Sequence, residues 1–381
     1  MSKLDLEVVF KPTGEARGLP NKYYTDKDLF LKEQVEIFHS TWAAIGFSCD
    51  VPDPGDAKPI DFAGMPLLLL RDKTGDLKVF QNTCRHRGMI LVDEAKNLKG
   101  PIRCPYHSWA YDFAGDLVAT PHVGGVGIDN HECIKKENLG LFTIRTHVWL
   151  GVVFVNVSGN APAFEKEHDH LLNRWSEFNK PLHASVPNSS FEMRVKSNWK
   201  LAAENYCESY HLPWIHPGLN SYSRLEDHYN IADAENYSGQ GSSVYRQLKS
   251  EDGTVFPDFE NISSKWDATS EYVTLFPNIL LGVHRDHTFA MILLPQSPEE
   301  TLERVALYYA DPSIASEKWT EMVLKNSELW KTVFNEDVGV VEGMQKGRQG
   351  IKFDGGKFSP IMDVPTHVFH KWVANKLWDA I

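Results

Sequence analysis

Two short arms of the chain carry residues that could hold a metal. Cys84-Arg85-His86-Arg87-Gly88 sets a thiol and an imidazole one residue apart. After seventeen intervening residues beyond His86, Cys104-Pro105-Tyr106-His107 offers a second such pair with two residues between. Ligands this close converge with little backbone entropy to lose, which suits a soft metal centre. A closed Cys2His2 zinc site is one outcome of that ligand set. A second constellation follows at Glu208-x-x-His211-x-x-x-x-His216. On a helix, Glu208 and His211 would share a side, and Pro213 would bend the chain so that His216 returns to the same point.

A carboxylate to complete that second set is expected from a long helix near the C-terminal end. Its apolar stripe runs Trp319, Val323, Trp330, Val333, Phe334, Val340, Val341, Met344, and Asp337 falls within it. A buried carboxylate is costly without a metal or a basic partner. An internal Lys or Arg is the bland alternative. Glu336, rotated by about 100° on the same helix, is the weaker candidate. His211, His216 and Asp337 together make a two-histidine, one-carboxylate set with coordination positions left open, as in non-haem Fe(II) oxygenases.

The elements around these residues can be read in order. Residues 25–42 read as a helix, with Thr25 and Asp28 as its N-terminal cap pattern. Strands and turns follow from Gly46, including 66–71, the Thr74-Gly75-Asp76 turn and 78–80. The apolar run 148–155 reads as a single strand. Residues 43–158 thus form a small β domain with the two arms as loops at its tip, and 1–42 with 159–381 form a second domain. There, 164–178 reads as helical and 190–195 as a strand. A helix runs from Trp199 to about His211, where Pro213 stops it. Residues 219–270 read as a long loop with a substrate-gating role. An antiparallel meander follows at 271–275, 279–283, 287–295 and 304–309. Helices over 316–346 and 366–380 close the chain. The Gly124-Gly125-Val126-Gly127 stretch precedes no helix pattern and carries no phosphate-binding weight.

Composition narrows the function. The chain has 381 residues, 42% hydrophobic and 24% charged, enough for two globular domains. With 39 basic and 51 acidic side chains the net charge is −12, which argues against nucleic acid or an anionic membrane as partner. There is no apolar run long enough to span a membrane and no signal-peptide core at the N-terminus, so a cytoplasmic location is expected. Five cysteines, an odd number at uneven spacing, fit a reducing compartment. Cys49, Cys133 and Cys207 are expected to be small buried residues.

The arms Cys84-x-His86 and Cys104-x-x-His107, flanked by Arg87-Gly88 and by Ser108-Trp109 with Tyr111, resemble the Rieske [2Fe–2S] site. Together with Glu208, His211, His216 and Asp337 in the family order, the chain from about Trp42 to Gly347 resembles the catalytic α subunit of Rieske non-haem iron oxygenases. That resemblance implies an α+β protein: an all-β Rieske domain and a helix-grip (START/Bet v 1-like) catalytic domain with an antiparallel sheet and long helices. It implies that Cys84, His86, Cys104 and His107 hold the cluster and that His211, His216 and Asp337 hold mononuclear Fe(II). Asn205 falls at the family's asparagine close to the iron. Glu208 falls where the family has a bridging carboxylate, usually Asp. The Glu is shared with the carnitine monooxygenase type, and Cys104-Pro105-Tyr106-His107-Ser108-Trp109 also looks like the carnitine, glycine betaine and choline branch.

The resemblance further implies a homotrimer. In it, Glu208 would join a cluster histidine, His86 or His107, of one chain to His211 or His216 of the next. A separate flavin-containing reductase would bring electrons from NAD(P)H, since no nucleotide-binding glycine pattern is present. Three functions are expected in order: oxygenation of a small quaternary ammonium compound with N-demethylation or C–N cleavage; hydroxylation of an arene or demethylation of an aryl ether; and a zinc-stabilised binding protein. Tyr206, Tyr210, Trp214, Phe276 and Phe289 are the aromatic candidates for a cation-binding pocket.

Overall fold

The computed structural model describes residues 3–380. They fall into two compact units, residues 45–160 and residues 1–44 with 161–381.

The smaller unit is built of short antiparallel strands. Met65–Arg71 pairs with Asp56–Phe62 on one side and Leu77–Gln81 on the other. The run Leu67-Leu68-Leu69-Leu70 is buried on both faces, so it reads as a continuous apolar stretch rather than an alternating one. The apolar run 148–155 is two strands, not one: Arg145–Trp149 turns back into Val152–Asn156 through Leu150-Gly151. Both turn residues have positive φ, the geometry a two-residue hairpin needs, and only Gly151 announced it.

In the larger unit a seven-stranded antiparallel sheet is the organising element. Its spatial order is Ser190–Val195, Glu300–Tyr309, His287–Ser297, Ile279–Val283, Ser270–Leu275, Tyr237–Ser242, His228–Ile231. The last two strands lie inside the stretch read as a long loop, whose longest irregular part is then about 243–269, interrupted by one 3₁₀ turn. Those strands were hard to see because Tyr237–Ser242 alternates glycine with small polar residues. Gly239 and Gly241 are there because a Cβ at either would collide with Tyr272 O or with the Tyr229 ring.

Thr320–Gly347 packs over this sheet as one 28-residue helix. It buries Val323, Asn326, Trp330, Phe334, Val341 and Gln345, a stripe at three- and four-residue spacing. Burial of large apolar side chains such as Trp330 and Phe334 contributes about 1.5–3 kcal/mol each. Gly282 lets Phe289 lie flat across the neighbouring strand, since a Cβ there would sit 2.3 Å from its ring. Phe289 then meets Trp330 at 4.4 Å and Phe334 at 5.3 Å between ring centroids. Val364–Leu377 closes the unit.

Two helix boundaries differ from expectation. The helix read over 25–42 starts at Lys27, capped by Asp26, whose carboxylate accepts the N–H groups of Asp28 and Leu29, and it passes into a π-helical turn at Gln34–His39. Residues 164–178 form three short helical pieces rather than one helix.

Candidate functional site

The two cysteine–histidine arms are conformational twins. Gly88 N–H donates to Cys84 O at 3.0 Å and Cys84 N–H to Met89 O at 2.8 Å. In the second arm Ser108 N–H donates to Cys104 O at 3.0 Å and Cys104 N–H to Trp109 O at 2.8 Å. The fourth residue after each cysteine has positive φ, 74° at Gly88 and 55° at Ser108. Each thiol is buried in the core of its unit, while His86 and His107 stand exposed with ring centroids 4.7 Å apart. His86 also stacks on Trp109 at 4.8 Å. Tyr111 Oη accepts the Arg85 N–H at 2.9 Å and lies 3.4 Å from Cys84 Sγ, where its own hydrogen can meet a thiolate. Burial pushes the Cys84 thiol up, and Cys104 beside it adds to that; Tyr111 works the other way.

The second constellation closes in space. One ligand atom each from His211, His216 and Asp337 lie within 4.8 Å of one another. Asp337 Oδ1 is 3.1 Å from His216 Nε2 and 3.7 Å from His211 Nε2. It is buried and accepts no hydrogen bond, so its lone pair points into the space between the two rings. Each ring is held from behind by its own carboxylate: His211 Nδ1 meets Glu208 Oε1 at 2.7 Å, and His216 Nδ1 meets Glu336 Oε2 at 2.7 Å. Burial would lower His216, but Asp337 and then Glu336 outweigh it and hold the imidazole above its ordinary range.

The backbone that delivers these rings is not the helix read from the sequence. The helix ends at Tyr206, and Leu212–Ile215 starts a new one-turn helix with Pro213 near its beginning. Glu208 Oε2 accepts the N–H groups of Tyr210 and His211, so this side chain holds the intervening turn as well as the ring. The preceding helix is pinned by a fully buried ion pair, Lys200 Nζ to Glu33 Oε1 at 2.6 Å, and Glu33 also accepts the Trp199 indole N–H at 2.9 Å. Asn205, near its end, is buried and faces the cavity described next.

A cavity of about 350 Å³ opens beside the triad, in contact with His211, His216 and Asp337. Aromatic rings of Tyr206, Tyr222, Tyr245, Tyr272, Trp330 and Phe334 line it. Among the described residues its only acidic lining groups are Glu208 and Asp337.

Residues 182–378, half of the chain, match the family described as "Ring hydroxylating alpha subunit (catalytic domain)". The chain belongs to that family. Residues 41–132 of this α subunit match the Rieske [2Fe–2S] domain. It is similar to the carnitine monooxygenase oxygenase subunit of Escherichia coli (strain K12), 26% identical over 347 residues, 90% of this chain and 87% of the relative. Chloroplastic choline monooxygenase of Arabidopsis thaliana is 26% identical over 373 residues, covering 94% and 82%. Among solved structures it shares its fold with the quaternary ammonium Rieske monooxygenase CntA in complex with L-carnitine (TM-score 0.78, 22% identity, 99% of each chain). Naphthalene 1,2-dioxygenase from Rhodococcus sp. bound to indole also has the fold (TM-score 0.75, 18% identity, 95% of this chain and 94% of the other).

The α subunit is therefore an oxidoreductase of the Rieske oxygenase family, with an α+β architecture of Rieske and catalytic domains. Its cofactors are a Rieske [2Fe–2S] cluster and a mononuclear iron. The residues present fit both groups. Two buried thiols and two facing imidazoles on matching loops suit the cluster. An unpartnered buried carboxylate oxygen between two Nε2 atoms, each ring carrying a carboxylate on Nδ1, suits the iron.

Glu336, the weaker ligand candidate in the sequence, is indeed not in the triad, but its contact with His216 Nδ1 was not foreseen. Weighed only as an alternative ligand, it instead holds His216 in place, and its adjacency to Asp337 was the signal available. Glu336→Gln should weaken ferrous-iron affinity about 10- to 100-fold, since outer carboxylates of this kind contribute that much. Iron titration of the apo-protein checks this, with unchanged affinity as the contrary result. The aromatic expectations are met only at Tyr206. Tyr210 and Trp214 are 43% and 69% exposed and meet edge to face. Phe276 packs on Phe369 and Trp372, and Phe289 lies behind Trp330. Of the three spare cysteines Cys207 is buried, Cys49 is intermediate and Cys133 is exposed. Among the described residues no helix is long and apolar enough to cross a membrane.

Glu303 faces a second, small cavity it shares with Asn205 and Asp337. Burial, and then the charge of Asp337, raise its carboxyl to about 8. Because the folded value lies above the unfolded one, its stabilising contribution is complete below about 4.5 and is lost as pH rises toward 8. Glu303→Gln should therefore gain stability over the parent as pH rises, by roughly 4 kcal/mol between pH 5 and pH 8.5. Thermal melts at the two pH values check this; parallel behaviour of parent and variant would contradict it.

Proposed function

We propose that this α subunit oxygenates a small quaternary ammonium compound of the carnitine, betaine or choline type, at a methyl or adjacent carbon so that the C–N bond is lost. The observation that carries the reading is the cavity beside the triad, walled by aromatic faces, which bind methylated cations well. The names of the relatives support it from outside.

In this reading Cys84, His86, Cys104 and His107 hold the cluster, within a Rieske domain of residues 43–158. His211, His216 and Asp337 hold the iron, within a catalytic domain formed by 1–42 and 159–381. When bound, the iron supplies O2 activation with electrons relayed from the cluster. The chain's own work is to orient and to exclude. Glu208 and Glu336 each take an Nδ1–H, which leaves both Nε2 atoms free as ligands. Asn205 borders the iron and the substrate space. The chain assembles as a cytoplasmic homotrimer, and Glu208 extends to a cluster histidine, His86 or His107, of the neighbouring subunit.

With a surrogate flavin reductase, NADH and O2 should be consumed on addition of carnitine, a betaine or choline, with matching release of an aldehyde or amine product. Turnover of a neutral arene or aryl ether with none of these cations would overturn the reading.

A further inference from the structure

One wall of the cavity is backed by a buried charge outside the iron site. Asp286 sits in the tight turn between Ile279–Val283 and His287–Ser297 and is fully buried. Its Oδ1 receives the Tyr245 hydroxyl at 2.7 Å and His287 Nδ1 at 2.8 Å. Its Oδ2 is buried with no hydrogen-bond partner.

The neighbours do not neutralise it. Trp330 Nε1–H donates to His287 Nε2 at 2.9 Å, and an indole can only donate. His287 thus accepts at Nε2 and carries its one proton on Nδ1, toward Asp286. His284 stacks on His287 at 4.3 Å, and burial followed by His287 drives it well below its ordinary range, so it is neutral too. Arg285, next in the turn, feels the Asp286 charge but directs its guanidinium elsewhere: it forks onto Asp258 and meets Asp267 at 3.2 Å.

The rings that touch Asp286, or touch its partner, face the cavity. Tyr245, His287 and Trp330 all line it, with Tyr272 beside them. A carboxylate that no Lys or Arg among the described residues hydrogen-bonds therefore lies one side chain behind a wall of aromatic faces. Arg246 and Lys249 also line the cavity, but both are exposed.

We infer that Asp286, acting through the Tyr245–His287–Trp330 wall, is the counter-charge of a subsite for the substrate's ammonium group. The inference rests on the quaternary ammonium reading and adds the residues that select the charge. A ring face attracts a cation through its quadrupole, and a negative charge behind it in a low-dielectric wall strengthens that attraction. Asp286 is a positioning residue, not one that meets the reacting atoms.

The test compares ammonium compounds with their uncharged carbon isosteres on the holoenzyme, by calorimetry. The pairs are choline with 3,3-dimethyl-1-butanol, and γ-butyrobetaine with 5,5-dimethylhexanoate. The parent enzyme should bind the better ammonium compound at least about tenfold more tightly than its isostere. Asp286→Asn should lose about tenfold on the ammonium compound and less than about twofold on the isostere. Equal losses on both, or an undiminished preference, would overturn the role of Asp286 and leave the substrate class standing. A parent enzyme with no preference for either ammonium compound would overturn the substrate class itself, and the subsite with it. Should Asp286→Asn not yield folded holoenzyme, Asp286→Ser, which can still accept from Tyr245 and His287, makes the same comparison.

Discussion

Asp337→Ala is expected to lose about one iron per chain while the acid-labile sulfide of the cluster stays unchanged. The reason is geometric. Asp337 contributes the only buried carboxylate oxygen lying between His211 Nε2 and His216 Nε2 among the described residues. Without it, two imidazoles remain, and ferrous iron should bind more than about 100-fold less tightly, beyond what loss of an outer-shell partner costs. Turnover should fall to background, and the cluster's visible absorbance should persist and still respond to dithionite. The fold should survive, since Asp337 is bonded to no backbone group and the helix that carries it is held by Trp330, Phe334 and Val341. Full retention of iron and activity would remove this residue from the ligand set.

Glu208→Gln should lower turnover by at least about 100-fold, and excess ferrous iron should not restore it. Two arguments converge on this change. The Glu208 carboxylate accepts three hydrogens in the same chain, from the N–H groups of Tyr210 and His211 and from His211 Nδ1. An amide has one oxygen. If that oxygen keeps the backbone pair, the amide nitrogen faces His211 Nδ1 and pushes the ring's proton to Nε2, the ligand atom. The proposed contact to a neighbouring subunit's cluster histidine would be lost with it. The two effects separate cleanly: a tautomer fault alone is rescued by added iron, whereas a broken electron route leaves a reduced cluster that substrate and O2 no longer reoxidise. Rapid reoxidation at the parent rate would exclude Glu208 from the route.

Which side chains come together was more legible in this chain than its backbone. Cys84, His86, Cys104 and His107 declare themselves because short ligand spacings survive any uncertainty about the surrounding strands. Asp337 was legible because a carboxylate in an apolar stripe has few explanations, and the stripe's period is a property of the helix alone. Boundaries fared worse where a side chain overrides the pattern. The helix from Trp199 stops at Tyr206, not near His211, because the Glu208 carboxylate captures the next two N–H groups and starts a fresh turn. The strands within 219–270 were missed because Gly239 and Gly241 answer to the backbone and ring of their neighbours, which no local pattern records. The cavity wall was the least legible: Tyr222, Tyr245 and Tyr272 come from separate segments, and only the sheet brings them together with Trp330.

Trp330, Phe334 and Asp337 ride on one unbroken helix, one turn apart, the first two facing the cavity and the third the His211–His216 pair. Size selection and ligand placement are thus written on the same rigid rod. Carving room at Trp330 or Phe334 for a bulkier guest would let that rod settle toward the sheet and carry the carboxylate with it. Attempts to broaden the enzyme's diet from that side should therefore be read first in the ferrous-iron spectrum, before any product is counted.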